Sequence, residues 1–157
     1  MSEAVYIETS ILGYLTARPS RDLVVAANIE VTREWWDTRR VYFQLYASQA
    51  VIKETSQGDA QIASQRLEII RDLALLDLNQ SVLDLAEQFL ERSSLPAKAD
   101  VDAVHIAAAT IHNMDYLLTW NCKHIANAQI QRKLAEISLD FGYTLPILCT
   151  PYELLGG

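Results

Sequence analysis

Apolar residues fall into two kinds of segment that alternate along the chain. Short, nearly unbroken apolar runs occur at Ala4–Ile7, Val41–Tyr46, Ala74–Leu78, Tyr116–Thr119 and Leu145–Cys149. Their length and continuity predict strands covered on both faces. The longer stretches between them repeat with helical period. Val24, Ala27, Val31 and Trp35 recur at steps of 3, 4 and 4, and Ile130, Leu134, Ile137 and Phe141 at steps of 4, 3 and 4. Val82, Leu85, Ala86, Phe89 and Leu90 form a further stripe. Such stripes bury one helix face against a sheet. Polar residues punctuate the pattern. Ser20, Ser48, Asp59 and Asn79 are placed to cap helices. Thr150-Pro151-Tyr152-Glu153 reads as a capping box with proline at the first helical position. Pro96 stops a helix ending near Ser94, and another begins near Lys98. Strands alternating with helices predict an α/β fold: a three-layer α/β/α sandwich around a five-stranded parallel sheet. No repeat or linker interrupts it, so residues 1–157 read as one domain.

Charge narrows the chemistry. The chain has 13 Lys and Arg against 20 Asp and Glu, a net charge of −7. No global electrostatic attraction for nucleic acid or an anionic membrane follows from that balance. A phosphate substrate would need a local basic patch or a bound cation. The 2 cysteines, Cys122 and Cys149, have no metal-knuckle spacing. Reduced cysteines, with no signal-like N-terminus and no membrane-length apolar run, give a cytoplasmic expectation without membrane contact.

In a parallel sheet, ligands bind outside the carboxyl ends of the strands. Glu8 follows the first strand directly. Glu54 lies in the helix leaving the second strand, and Asn121 lies two residues beyond the fourth. Asp102 opens the helix that runs back into the fourth strand, so it starts at the same edge. Singly, each has an ordinary reading: a solvated strand end, a solvated helix residue, a first-turn acid, a turn residue. Jointly they converge on one mouth. Asp102 sits among Val101, Ala103, Val104 and Ile106–Ala109, in a helix apolar nearly all round, which predicts a buried carboxylate. Only Lys98 is basic nearby in sequence. Three carboxylates without matching cationic side chains suit Mg²⁺ or Mn²⁺. Two like charges about 4 Å apart repel by roughly 4 kcal/mol at an effective dielectric near 20. Without metal, at least one carboxyl pKa is therefore expected to rise.

Three segments, Val5-Tyr6-Ile7-Glu8-Thr9-Ser10-Ile11-Leu12, Ala99-Asp100-Val101-Asp102 through Ala109, and Tyr116-Leu117-Leu118-Thr119-Trp120-Asn121, resemble the motifs of the PIN-domain family. The resemblance spans nearly the whole chain in order and spacing. It implies metal-dependent RNA cleavage, and for small chains of this kind a VapC-type toxin of a type II toxin–antitoxin pair. By that resemblance Glu8, Glu54 and Asp102 match the three acids and Asn121 a fourth position that is often Asp. Thr9, Ser10, Thr119 and His105 are supporting residues, and a homodimer and a small antitoxin are the expected partners besides RNA. The departures are Glu8 where Asp is usual and the missing charge at Asn121.

His105, three residues after Asp102, reads either as a hydrogen-bond partner of a site carboxylate or as a core histidine. His124 either touches phosphate or caps the following helix. Arg18, Arg21, Lys53 and Lys123 are the basic residues nearest the expected mouth. One of Trp35 and Trp36 should be core, and with Tyr42 and Tyr46 they mark the expected dimer surface. Two other functions fit less of the pattern. A catalytically degenerate binding module rests on Asn121 alone. A phosphoacceptor receiver domain would use Asp77 but lacks the paired acids and the lysine that such a site needs.

Overall fold

The computed structural model describes residues 2–156. Five strands, β1 (Glu3–Ile7), β2 (Phe43–Ser48), β3 (Ala74–Leu76), β4 (Tyr116–Leu118) and β5 (Ile147–Cys149), form one parallel sheet in the order β3-β2-β1-β4-β5. Seven α-helices connect them: α1 (Thr9–Leu15), α2 (Leu23–Thr38), α3 (Gln49–Thr55), α4 (Ala60–Ile70), α5 (Gln80–Arg92), α6 (Asp100–Ile111) and α7 (Ala128–Asp140). α1 packs on α2, α3 and α4, while α5 packs on α6 and α7. The chain winds outward from β1 to β3, then crosses to β4 and β5. Right-handed crossovers therefore put the two helix groups on opposite faces. Val5, Tyr6 and Ile7 of β1 are fully buried, as a doubly covered central strand requires. The strand order differs from the 2-1-3-4-5 order of receiver domains, which removes that reading.

Several boundaries differ from the sequence expectation. Val41 and Tyr42 lie in a 3-10 turn (Arg40–Tyr42) and are 73% and 60% exposed, so β2 starts only at Phe43. Asp77 and Leu78 fall outside β3, and β5 begins after Pro146, which has no N–H to give to a ladder. The α2 stripe was expected one phase away. Its buried residues are Ile29, Thr32 and Trp35, whereas Leu23 and Val24 are exposed. Asp22, not Ser20, caps that helix, accepting from Val24 and Val25 N–H. Ser48 occupies the cap position of α3 but makes no capping bond, because its hydroxyl faces Tyr6. Asp59 and Asn79 cap α4 and α5 as expected, and the Thr150–Glu153 capping box is complete.

The sheet reverses its winding between β1 and β4. Such a switch point opens a crevice outside the carboxyl ends of the two strands. Glu8 follows β1 there, and Thr119 to Asn121 follow β4.

Candidate metal centre

The first turn of α1 builds half of the site. Glu8 is the N-cap of α1 and only 4% exposed. Its Oε1 accepts from the Ser10 backbone N–H, the Ser10 hydroxyl and the buried Thr119 hydroxyl. The neighbouring hydroxyl, Thr9 Oγ1, donates instead to Glu54 Oε1. Two consecutive hydroxyls thus tether two different acids.

Glu54 arrives on α3, where α3 meets α6. Its Oε1 also pairs with His105 Nε2 at 2.6 Å. His105 is fully buried on α6, and its other nitrogen, Nδ1, lies 2.7 Å from the Tyr6 hydroxyl. That hydroxyl in turn lies 2.7 Å from Ser48 Oγ. The chain Ser48–Tyr6–His105–Glu54 therefore runs from the core to the mouth, and Ser48 serves it rather than α3. Burial and the nearby charges of Glu8 and Glu54 push the Tyr6 pKa far up, so Tyr6 stays a neutral phenol. Burial alone would lower the His105 pKa. The Glu54 hydrogen bond and the charges of Glu8, Glu54 and Asp102 carry it above the ordinary histidine value instead. Burial alone would raise the Glu54 carboxyl, but His105 and the Thr9 hydroxyl bring it below the usual glutamate value. The upward shift expected from crowded acids is thus reversed at Glu54, because its bonds to His105 and Thr9 outweigh burial.

Asp102 stands in the first turn of α6, half-buried rather than buried as its apolar neighbours implied. Its Oδ2 lies 3.0 Å from His124 Nδ1. The basic partner is therefore this distant histidine and not Lys98. His124 also donates its backbone N–H to Asn121 Oδ1 at 3.0 Å. Asn121 thus shapes the loop after β4 with its amide oxygen, and one loop holds both Asp102 and Asn121.

Each of the three carboxylates has one oxygen held by the protein. Glu8 Oε2, Glu54 Oε2 and Asp102 Oδ1 take no hydrogen bond among the described residues, and no Lys or Arg there pairs with any of the three acids. Ligand atoms of Glu8, Glu54 and His105 all lie within 4.8 Å of one another. His105 spends both nitrogens on Glu54 and Tyr6, so the open donors are carboxylate oxygens. A hard divalent cation fits that donor set. Asp102 lies outside the tight group, at its rim. Arg18, Arg21, Lys53 and Lys123 are exposed, and none pairs with a site acid. His105 is both things the sequence left open, a core histidine and a carboxylate partner.

Among the solved structures that resemble this chain are the following two. One is the VapC20 toxin of Mycobacterium tuberculosis, described as cleaving the sarcin-ricin loop: TM-score 0.62, 13% identity, covering 77% of this chain and 92% of that one. The other is VapBC2 of Rickettsia felis, bound to a DNA fragment from its promoter: TM-score 0.60, 14% identity, covering 94% and 98%. The fold is the PIN-domain fold of VapC-type toxins. No sequence-family profile matches the chain. No curated protein sequence matches it either. The PIN fold puts Glu8 and Thr119 at the switch point and brings Glu54 and Asp102 to it on α3 and α6. Among the described residues no helix is long and apolar enough to cross a membrane.

Proposed function

We propose that this chain is a divalent-metal-dependent endoribonuclease, the toxin of a type II toxin–antitoxin pair, held at the switch-point mouth by Glu8, Glu54 and Asp102. The observation that carries the reading is the pairing pattern of the three acids. Each keeps one oxygen tethered and presents the other, and none is neutralised by Lys or Arg. Such a cluster favours Mg²⁺ or Mn²⁺. When bound, the ion supplies Lewis-acid polarisation of a phosphodiester and a more acidic water. The protein's part is positional. Ser10 and Thr119 hold Glu8, while Thr9 and His105 hold Glu54, leaving one oxygen of each without a protein partner. His124 holds Asp102 at the rim, where Asp102 or Glu54 can accept a proton from the attacking water. Asn121 acts through the loop that carries His124. Lys53, Arg18, Lys123 and the second ring nitrogen of His124 are available to backbone phosphates.

The setting we propose is cytoplasmic, with a small antitoxin that covers the mouth. A homodimer would form through the cleft lined by Trp36, Val41, Phe43 and Leu45, beside exposed Tyr42. Trp35 is fully buried and takes no part in it. The likeness to VapC20 makes the sarcin-ricin loop the first substrate to try. Purified chain should cut RNA with Mn²⁺ or Mg²⁺ and spare it with a chelator, and Asp102→Asn should remove cleavage while leaving the melting curve intact. A binding module without turnover is the second reading, favoured by Asn121, whose amide oxygen is committed to His124. RNA bound but left whole with every divalent ion would select it.

A further inference from the structure

A second recess lies beside the acidic mouth. Ser10, Gly13, Tyr14, Ala17, Trp120 and Asn121 line a cleft of about 300 Å³, at the lower end of small-ligand pockets. Trp120 is its half-buried wall. Its backbone N–H donates to Ser10 Oγ, the hydroxyl that also holds Glu8, so the indole stands two hydrogen bonds from a site acid. Its ring is fixed: Nε1 donates to Thr32 Oγ1 at 2.7 Å, and Tyr14 and Tyr152 pack edge-on at 5.4 and 5.6 Å between centroids. Two guanidinium groups flank this recess, touching residues at its edge without lining it. Arg33 donates to the Ala17 carbonyl at 3.0 Å. Arg66 donates to Thr16 Oγ1 at 3.1 Å, with its Nη2 3.9 Å from where a Gly13 Cβ would stand. Neither arginine has a carboxylate within salt-bridge distance among the described residues.

We infer that this cleft is a nucleotide subsite of the substrate strand, with Trp120 stacking on an unpaired nucleobase and Arg33 and Arg66 meeting the adjoining phosphates. The inference rests on the ribonuclease reading for the identity of the strand, and its own basis is the cleft. An immobilised aromatic face beside unpaired cations is the pairing that single-strand binders use. Its position one hydroxyl away from Glu8 places the base next to the reacting phosphodiester.

The test is binding in chelator, where no cleavage competes. The probes are a labelled short oligouridylate and an abasic strand of the same length, with affinity read by fluorescence anisotropy. Wild type should prefer the base-bearing strand. Trp120→Leu should weaken binding of that strand about 5- to 150-fold, the equivalent of about 1–3 kcal/mol of stacking, and should not change binding of the abasic strand. Trp120→Phe keeps a ring but not the Thr32 bond, and should restore most of the loss. Arg33→Gln and Arg66→Gln should weaken both strands alike and flatten the salt dependence. Equal affinity of wild type for the two strands, or no binding of either, overturns the subsite, and neither result needs a variant to fold. Trp120→Phe falling as far as a folded Trp120→Leu overturns it too, since the indole is then only a structural anchor. Metal-dependent cleavage with base-indifferent binding removes the subsite and leaves the nuclease reading. Base-dependent binding without cleavage does the reverse.

Discussion

The buried pair between His105 and Glu54 sets how the metal-free protein should respond to pH. Glu54→Gln is the sharpest perturbation, because it keeps shape and an acceptor oxygen for Thr9 and His105 and removes only the charge. A hydrogen bond to a charged group contributes about 1.5–3 kcal/mol and a neutral one about 0.5–1.5, so the charge is worth about 1–1.5 kcal/mol. His105 is fully buried, but the Glu54 side chain is 32% exposed, which favours the lower end. At about 2–4 °C per kcal/mol for a chain of this size, Glu54→Gln should lower the melting temperature by roughly 2–6 °C. The deficit has a pH signature. The folded pKa of His105 is raised, so its share of stability is complete below the unfolded value of 6.5 and is lost as pH rises through the folded pKa. The folded pKa of Glu54 is lowered, so its share is complete above the unfolded value of 4.5 and is lost as pH falls through the folded pKa. The gap between wild type and variant should therefore be widest between pH 4.5 and 6.5. Above the folded His105 pKa the ion-pair part is lost and only the hydrogen bonds to the Glu54 carboxylate remain, so the gap should narrow. Melting curves in chelator, read by circular dichroism across that range, decide it. A gap that is constant with pH, or that widens on the alkaline side, would refute a charged His105–Glu54 pair.

Mn²⁺ at about 100 times its dissociation constant should stabilise the folded chain by about 2.7 kcal/mol, a rise of roughly 5–11 °C. Glu8→Gln should lose most of that rise in the same thermal-shift assay, and a full rise would move the ion away from Glu8. Thr119→Val keeps volume but removes the buried hydroxyl that donates to Glu8 and accepts from the Asn121 N–H. It should cost about 1–3 kcal/mol in chemical denaturation and also weaken Mn²⁺ binding by calorimetry. Unchanged metal affinity would show that Thr119 only closes the loop.

The candidate site was legible because topology, rather than any single residue, carried it. Once β1, the helix after β2, and the helix into β4 were assigned, Glu8, Glu54 and Asp102 had to share the carboxyl edge. The partners of those acids were legible in part: His105 stood as one of two readings and Thr9, Ser10 and Thr119 as supporting residues, but which acid each serves did not show. His105 lies 51 residues from Glu54, and His124 lies 22 from Asp102. Along the chain only Lys98 stands near Asp102, and the histidine that bonds it comes from the loop after β4. The α2 phase failed for a related reason. A count of apolar residues favours Val24, Ala27, Val31 and Trp35, but of these only Trp35 is buried, and the buried stripe contains Thr32. That threonine hides its polarity by donating to the Asn28 carbonyl and accepting from Trp120. Arg33 on α2 and Arg66 on α4 reach Ala17 and Thr16, just after α1, through tertiary contacts that periodicity does not reveal. The one local hint was Trp120 itself, the aromatic between Thr119 and Asn121 after β4.

The charge balance gains a meaning from this layout. On the proposed ribonuclease reading, a chain of net charge −7 cannot rely on its overall field to meet RNA. The acids at the mouth add to the repulsion until a cation inverts it locally. Arg33 and Arg66 bond Ala17 and Thr16, just after α1, and pair with none of the site acids. On that reading, attraction for phosphate and affinity for metal are kept apart and joined through Ser10, whose hydroxyl holds Glu8 and accepts from Trp120. On the proposed reading, a positive charge moved inward to the mouth should inactivate the chain without unfolding it. A basic side chain offered by an antitoxin would act at the same point.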